Sequence, residues 1–264
     1  MAQCRVSRLL LFSLCCLPFA LGAQVPMQVP SDTLLAGISE RGRLLVQYDL
    51  ALRIASRLVR PVAMASDSMN ASLAHLQSDG KWIVRFGRVT AAEDTFFVRH
   101  QVAQVEADSF MVVPAPVPAA AAGEDLLALR AVRTAAKVFR GVVPNYNISV
   151  LPRSGGGFWV YFLPAQTRSD AFTYGADARY QISANGDTIL ARRQMHATLM
   201  NTPARADAVA GMHTAILDDV PEDSDVFLAM ARFPYKSEVI ATPHYNYEIH
   251  IDGSITYQRA NRGP

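Results

Sequence analysis

The chain has 264 residues, of which half are apolar, 18% are charged and 9% are aromatic. This composition excludes a disordered or collagen-like protein. A chain of this length can bury a real core and forms one large domain or two small ones.

Residues 1–23 have the pattern of a secretory signal peptide. Arg5 and Arg8 form a short basic region, an apolar stretch follows, and small residues suit cleavage after Ala23, with Gly22 as the alternative. The apolar stretch is shorter than the roughly 20 residues that span a bilayer. We therefore expect a cleaved signal, no integral membrane segment afterwards, and a periplasmic or secreted protein.

Cleavage would change the cysteine count and the charge. All three cysteines lie within residues 1–23, so the mature chain would have no disulfides and no thiolate chemistry. Loss of two arginines would leave 23 basic and 23 acidic residues, which argues against nucleic acid or anionic lipid as a partner. The few lysines among many arginines favour a bacterial source.

Composition and periodicity divide the chain into four segments. After the signal peptide they are an N-terminal helix plus strands (24–113), a Pro/Ala-rich linker (114–123) and a C-terminal helix plus antiparallel sheet (124–264). Apolar residues at helical spacing predict one helix over 40–59, ended by Pro61. A second helix is predicted over 124–140.

Most of the sequence outside these two helices predicts β-strands. Asn185-Gly186 and Asp252-Gly253, each between alternating runs, predict two hairpins. Strands are also predicted over 209–217 and 225–231, with a helix as the alternative for the latter. The fold class is therefore α+β, with helices packed on a mainly antiparallel sheet. A duplication of two helix-then-strands halves is a hypothesis.

Two common catalytic motifs have no support. The Gly-rich run 154–157 precedes a strand, whereas a phosphate-binding loop follows a strand and opens a helix. No Gly-x-Ser-x-Gly sequence is present, so a nucleophilic serine is not indicated.

The histidines and acids of the last third are the candidate metal ligands. His196 ends one predicted strand, His213 lies in another, and five acids follow within 218–225, ending at Asp225. Imidazole and carboxylate together suit Zn²⁺ or Mn²⁺. The interpretation that the sequence favours is an acidic loop, kept in solvent by its carboxylates and by Pro221, in a protein without a cofactor, and the Zn²⁺ or Mn²⁺ site is the alternative.

Two resemblances bear on this region. The run from His213 resembles the JAMM metalloprotease signature, a His-x-His pair followed by Ser-x-x-Asp, but Ala215 stands at the second histidine and the 221–225 spacing differs. Residues 158–255 resemble a family of uncharacterised exported proteobacterial proteins. The resembling pieces are Trp159–Ala165, Ala178–Gly186, His213–Phe227 and Tyr247–Ile255. That family implies no activity.

Aromatic residues of the second half, including Trp159, Tyr161, Tyr245 and Tyr247, either belong to the core or form an exposed binding face. The sequence favours a non-enzymatic module that binds a small ligand or an envelope protein. The alternatives are a metal-dependent hydrolase using His213 and Asp225, with His196, and a secreted effector or immunity protein.

Overall fold

A computed structural model of the chain describes residues 29–63, 69–92, 94–115, 120–121, 123–168, 170–203, 205, 207–232 and 236–261. The predicted signal peptide, its cysteines and part of the predicted 114–123 linker lie outside these residues.

The described chain forms three helices and fifteen strands, and the predicted α+β class is confirmed. In chain order the elements are α1 (Asp32–Ala63), β1 (Ala71–Leu76), β2 (Trp82–Val89), β3 (Phe96–Glu106), β4 (Ser109–Val113), β5 (Ala120–Ala121), α2 (Glu124–Val138), β6 (Tyr146–Pro152), β7 (Phe158–Pro164), β8 (Ala171–Gly175), β9 (Ala178–Ile182), β10 (Ile189–Gln194), β11 (Leu199–Pro203), β12 (Gly211–Thr214), α3 (Asp223–Ala231), β13 (Glu238–Ala241), β14 (Tyr245–Ile249) and β15 (Ile255–Arg259).

Helix α1 is longer than the sequence predicts at both ends. It begins at Asp32, before the predicted start at residue 40, and Pro61 lies inside its last turn rather than ending it. A proline near the C-terminus of a helix removes one hydrogen bond but leaves the preceding turns intact. The stop predicted at Pro61 is therefore wrong by two residues.

The strands form four sheets. The first has the order β1-β2-β3-β4 with β5 paired to β3, the second β10-β9-β7-β6, the third β11-β8 and the fourth β12-β13-β14-β15. Strands β12 and β13 are parallel, and the other described pairs are antiparallel. The hairpin predicted at Asn185-Gly186 is confirmed as β9–β10, and Gly186 has the positive φ, 79°, that such a turn needs.

Segment 225–231 is helical rather than a strand, so the alternative prediction is the correct one. Helix α3 begins with a capping box, in which Glu222 and Asp225 satisfy each other's backbone N–H groups. Helix α1 packs against α3 at Gly42, where a Cβ atom would collide with Val226.

Helix α1 contributes to both buried clusters of the molecule. Leu35 and Ile38 belong to the cluster under β13 and β14, whereas Leu45 and Tyr48 belong to the larger one. The larger cluster joins residues from both sides of segment 114–123, so the two halves share one apolar interior. None of the described helices is both long enough and apolar enough to cross a membrane.

Candidate metal centre

The β9–β10 hairpin brings Asp177 beside His196. The hydrogen bonding between the two segments continues beyond the strands, where the Met195 N–H donates to the Asp177 carbonyl at 3.0 Å. The chain enters the hairpin through Gly175 and Ala176, which have φ values of 79° and 50°. This turn directs the Asp177 carboxylate inward, and its Oδ1 lies 2.9 Å from His196 Nδ1.

The parallel strands β12 and β13 position His213. Gly211 of β12 is paired with Glu238 of β13, so His213, two residues later, projects from the same sheet face. Glu238 Oε1 lies 3.1 Å from His213 Nδ1, and its Oε2 lies 3.0 Å from Arg232. A side chain at Gly211 would collide with Glu238 and Arg232, so glycine makes room for this pair.

The first turn of α3 supplies Asp225. Its Oδ2 atom accepts a hydrogen bond from the Glu222 N–H at 2.8 Å, as part of the capping box. This bond fixes the carboxylate and leaves Oδ1 directed toward the two imidazoles. The cap that starts the helix thus also orients a candidate ligand.

Three side-chain atoms converge at the centre of this arrangement. Asp225 Oδ1 lies 3.1 Å from His196 Nε2 and 3.1 Å from His213 Nε2, and the three atoms are all within 4.8 Å of one another. All three are buried, and none has a hydrogen-bond partner of regular geometry. Donors held about 2.0–2.2 Å from one tetrahedral ion would stand about 3.4 Å apart, close to the two distances of 3.1 Å from Asp225 Oδ1.

The far nitrogen of each imidazole is occupied by a carboxylate. Asp177 faces Nδ1 of His196, and Glu238 faces Nδ1 of His213. A carboxylate at Nδ1 favours the tautomer with its proton there, so the Nε2 lone pair points toward Asp225. Histidine ligands of metal ions in proteins commonly have this support.

The formal charges of the group leave room for a cation. Asp177, Asp225 and Glu238 contribute −3 and Arg232 contributes +1, so the group carries −2 when both imidazoles are neutral. Buried charge of this size requires compensation. One divalent cation or two protonated histidines would provide it.

Without a cation, the surroundings favour protonated imidazoles. Burial alone lowers the pKa of His196, but Asp225 and Asp177 outweigh it and raise the pKa to about 11. Burial likewise lowers the pKa of His213, but the carboxylates of Asp225 and Glu238 outweigh it and raise the pKa to about 9. Burial raises the pKa of Asp225, but the two histidines overcome that effect and lower it well below its ordinary value.

These shifts predict opposite pH dependence for the stability of the cation-free protein and for the stabilisation that zinc adds. In the cation-free form the histidines contribute stability below their ordinary pKa of 6.5, and that contribution is lost as the pH rises through 9 toward 11. The contribution of Asp225 is present above 3.8 and is lost as the pH falls. Zinc competes with the two protons, so the stabilisation it adds should grow between pH 6.5 and pH 9. Thermal melts with zinc or with a chelator measure both trends, and a zinc increment that shrinks over this range would contradict the assignment.

Replacing either supporting carboxylate should weaken zinc binding. We expect Asp177→Asn and Glu238→Gln each to lower zinc affinity by about 10- to 100-fold, since each carboxylate fixes the orientation of one imidazole. Glu238→Gln should also lower stability more than Asp177→Asn does, because it leaves the buried Arg232 without its charged partner. Chelator competition and urea unfolding measure the two effects. Equal zinc affinity in wild type and both variants would show that the carboxylates do not support ligands.

A pocket lies directly beside the candidate ligands. His196, Asp225 and Asp177 contribute to its wall, together with Gln166, Thr173, Tyr174, Ser224 and the apolar Leu163, Pro164, Gly175, Phe227 and Leu228. The Tyr174 ring centroid is 5.3 Å from that of His213. The donor group therefore borders a space that a small group could enter.

The structure brings His196, His213 and Asp225 together, and it overturns the interpretation of 218–225 as a solvated loop. Asp219, Glu222, Asp223 and Asp225 are all buried. These carboxylates can be buried because cations or backbone N–H groups pair with them, as Arg41 and Arg179 pair with Asp223. The second histidine of the group is His196, just after the end of β10. It does not come from position 215, where the metalloprotease signature has its second histidine.

Other sequence candidates lie apart from this group. The His244 Nδ1 atom pairs with Asp219 Oδ2 at 2.7 Å. Tyr161, Tyr245 and Tyr247 are buried in the two cores, and Trp159, half-buried, lies under the guanidinium of Arg179 at 4.7 Å. These aromatic residues do not form one exposed face.

Sequence reasoning missed Asp177, Glu238, Arg232 and Gly211. The only available signal was the hairpin at Asn185-Gly186, whose extended register places residue 177 opposite 195. Comparisons with protein-family models, with curated proteins and with solved structures found no match.

Proposed function

We propose that this protein is a zinc-dependent hydrolase whose single Zn²⁺ is held by His196, His213 and Asp225. The observation that supports this most is the convergence of three buried donor atoms that lack hydrogen-bond partners. Buried polar atoms are seldom left in this way, and an ion at their common point would satisfy all three. The formal charge of −2 in the surrounding group supports a divalent ion.

The donor set favours zinc and a site of the catalytic type. Two imidazole nitrogens and one carboxylate oxygen suit Zn²⁺, with Mn²⁺ as the weaker alternative because it prefers more oxygen ligands. Structural zinc sites have four protein ligands, whereas catalytic sites have three and leave a position for water. Within the described residues the converging group has three members and borders a pocket.

Zinc in such a site lowers the pKa of bound water to about 7, which supplies a nucleophile at neutral pH. Hydrolysis would then form a bond from the water oxygen to the electrophilic carbon and break the bond to the leaving group, which would take the proton. Asp177 and Glu238 would keep the imidazoles oriented. Tyr174, whose hydroxyl accepts a hydrogen bond from Thr202 Oγ1 at 3.4 Å, also lines the pocket.

Metal content and metal-dependent stability test the proposal. The purified protein should contain about one zinc per chain, and added Zn²⁺ should raise the unfolding temperature of the chelator-treated protein by mass action. Cobalt-substituted protein should show a visible spectrum that changes when acetohydroxamate occupies the open position. Less than about 0.1 metal per chain with no thermal shift would remove the proposal.

We also propose that the protein is exported by cleavage of residues 1–23 and acts in the bacterial envelope. The basic, apolar and small-residue regions of that segment support this. N-terminal sequencing of native protein should begin at Gln24 or Ala23. A native chain that begins at Met1 would contradict it.

A second candidate function is binding of a small ligand without chemistry, which a separate cleft favours. That cleft lies between α1, β1, α2 and β6, and Asp49, Arg53, Asn70 and Ser149 are among its polar residues. Burial raises the pKa of Asp49 there, opposed by Arg53. A ligand bound only here would stabilise Asp225→Asn and wild-type protein equally.

A further inference from the structure

A cleft of about 270 Å³ lies between the C-terminal end of α2 and the β9–β10 hairpin. It is distinct from the pocket at the candidate metal centre, with which it shares only Asp177 among the described residues that line it. Its volume is close to the roughly 300 Å³ at which small-molecule sites begin. Val138 and Val142, both exposed, lie at its edge. The cleft therefore has room for a small organic molecule with an apolar part.

The walls of this cleft are fixed by hydrogen bonds. The Tyr146 hydroxyl accepts from the Val142 N–H and donates to the Ala176 carbonyl, each at 3.1 Å, and so joins the loop after α2 to the segment before β9. Ala176 has a φ of 50°, a left-handed conformation that costs free energy in a residue other than glycine. Residues in such conformations cluster at ligand-binding sites. The cleft is formed before any ligand enters, which lowers the ordering cost of binding.

Two arginines of the cleft have no carboxylate partner among the described residues. They are Arg140, whose Nη1 atom donates to two backbone carbonyls at the end of α2, and Arg192 of β10. Arg193 also lines the cleft, but its guanidinium is paired with two carboxylates. The Asp177 carboxylate faces His196. The two unpaired positive charges therefore favour an anionic ligand.

The hydroxyl of Tyr180 adds a hydrogen-bond donor to the same cleft. Tyr180 stands opposite Arg192 in the β9–β10 ladder, so the two side chains share one face of the sheet. The tyrosine is only 4% exposed, yet its hydroxyl has no hydrogen-bond partner among the described residues, whereas a buried tyrosine hydroxyl usually has one. Burial raises the pKa of Tyr180, and the nearby charges of Arg192 and Arg140 oppose that rise. Two guanidinium groups and an unpartnered hydroxyl thus converge on one cleft.

We propose that this cleft binds a small organic oxyanion, a carboxylate or a phosphate monoester, whose charged group is held by Arg140, Arg192 and the Tyr180 hydroxyl. Guanidinium groups bind both kinds of oxyanion through paired N–H groups, and the tyrosine hydroxyl donates to the same oxygen atoms. The apolar part of the ligand lies against Val138 and Val142. None of these residues is a candidate zinc ligand or a supporting carboxylate, so the site is independent of the proposed hydrolysis.

Isothermal titration calorimetry of the zinc-free protein tests the proposal. The probes are benzoate and phenyl phosphate, and benzamide is the neutral molecule with the shape of benzoate. We expect one site per chain, with a dissociation constant of about 1 mM or lower for at least one oxyanion. Benzamide should bind at least about tenfold more weakly than benzoate, because it lacks the charge. Tighter binding of phenyl phosphate would assign a phosphate monoester, and tighter binding of benzoate would assign a carboxylate.

Single substitutions test whether the probe lies in the cleft. Arg192→Met, which keeps the length of the side chain but not its charge, should weaken binding about tenfold or more, and Tyr180→Phe about three- to tenfold. Arg99→Met, which removes an exposed arginine from a different sheet, is the control and should match wild type. Wild-type affinity in both cleft variants, with native thermal melts, would overturn the proposal, as would no binding of either oxyanion at about 10 mM. Binding that appears only after zinc is added would place the anion on the metal and overturn it too.

Discussion

Asp225→Asn should lose zinc binding by at least about 100-fold, more than either supporting carboxylate variant. Asparagine keeps the size of the side chain and can still accept the Glu222 N–H, so the capping box loses one charge but not its shape. What disappears is the anionic donor that faces both imidazoles at 3.1 Å. Metal analysis and competition with a chromophoric chelator measure the loss.

The cation-free form of Asp225→Asn should also be destabilised, by about 3 kcal/mol, because two buried imidazoles lose a shared carboxylate. Asp207→Asn is the matched control, since its pair with Arg205 is exposed and should contribute under about 1 kcal/mol. Asp225→Asn protein that retains zinc as well as wild type would contradict the ligand assignment.

Gly42→Ala should destabilise the protein by about 1–3 kcal/mol, although alanine is the better helix former. The new methyl group would collide with Val226 and approach the Asp223 carbonyl at 2.9 Å, so α1 and α3 must separate. Because α3 carries Asp225, zinc affinity should fall together with stability. Urea unfolding and chelator competition on the same samples measure both.

Gly37→Ala in the same helix should have the opposite effect and stabilise the protein. Its methyl group would meet only the end of the flexible Arg41 side chain, at 3.2 Å. The helix should therefore gain about 0.5–1 kcal/mol from the lower backbone entropy of alanine. Equal effects at positions 37 and 42 would show that the α1–α3 contact is not as tight as the structure has it.

The elements that the sequence predicted are those whose signals lie in residues next to one another in the chain. The Asn185-Gly186 turn and the apolar stripe of α1 need nothing beyond neighbouring residues. The hairpin forms at the predicted turn, and α1 covers the predicted 40–59 but extends beyond it at both ends. Short strands without such signals were not predicted, including β8, β11 and β13. Their pairing depends on partners distant in sequence, and β12 finds its parallel partner after a helix.

The three donors could be nominated from residue type, but their meeting could not. His196, His213 and Asp225 belong to a hairpin end, a parallel strand and a helix start, and only the folded chain brings these together. The acidic segment was misjudged for the same reason. Five acids in eight residues indicate a solvated loop unless cations from distant elements, such as Arg41 and Arg193, meet them inside.

Crystals soaked in zinc and measured on both sides of the zinc absorption edge test the central claim most directly. The account predicts one strong anomalous peak bonded to His196 Nε2, His213 Nε2 and Asp225 Oδ1, with Asp177 and Glu238 still at the far nitrogens. Zinc found only at surface residues, with the three atoms joined to one another through protons, would contradict it.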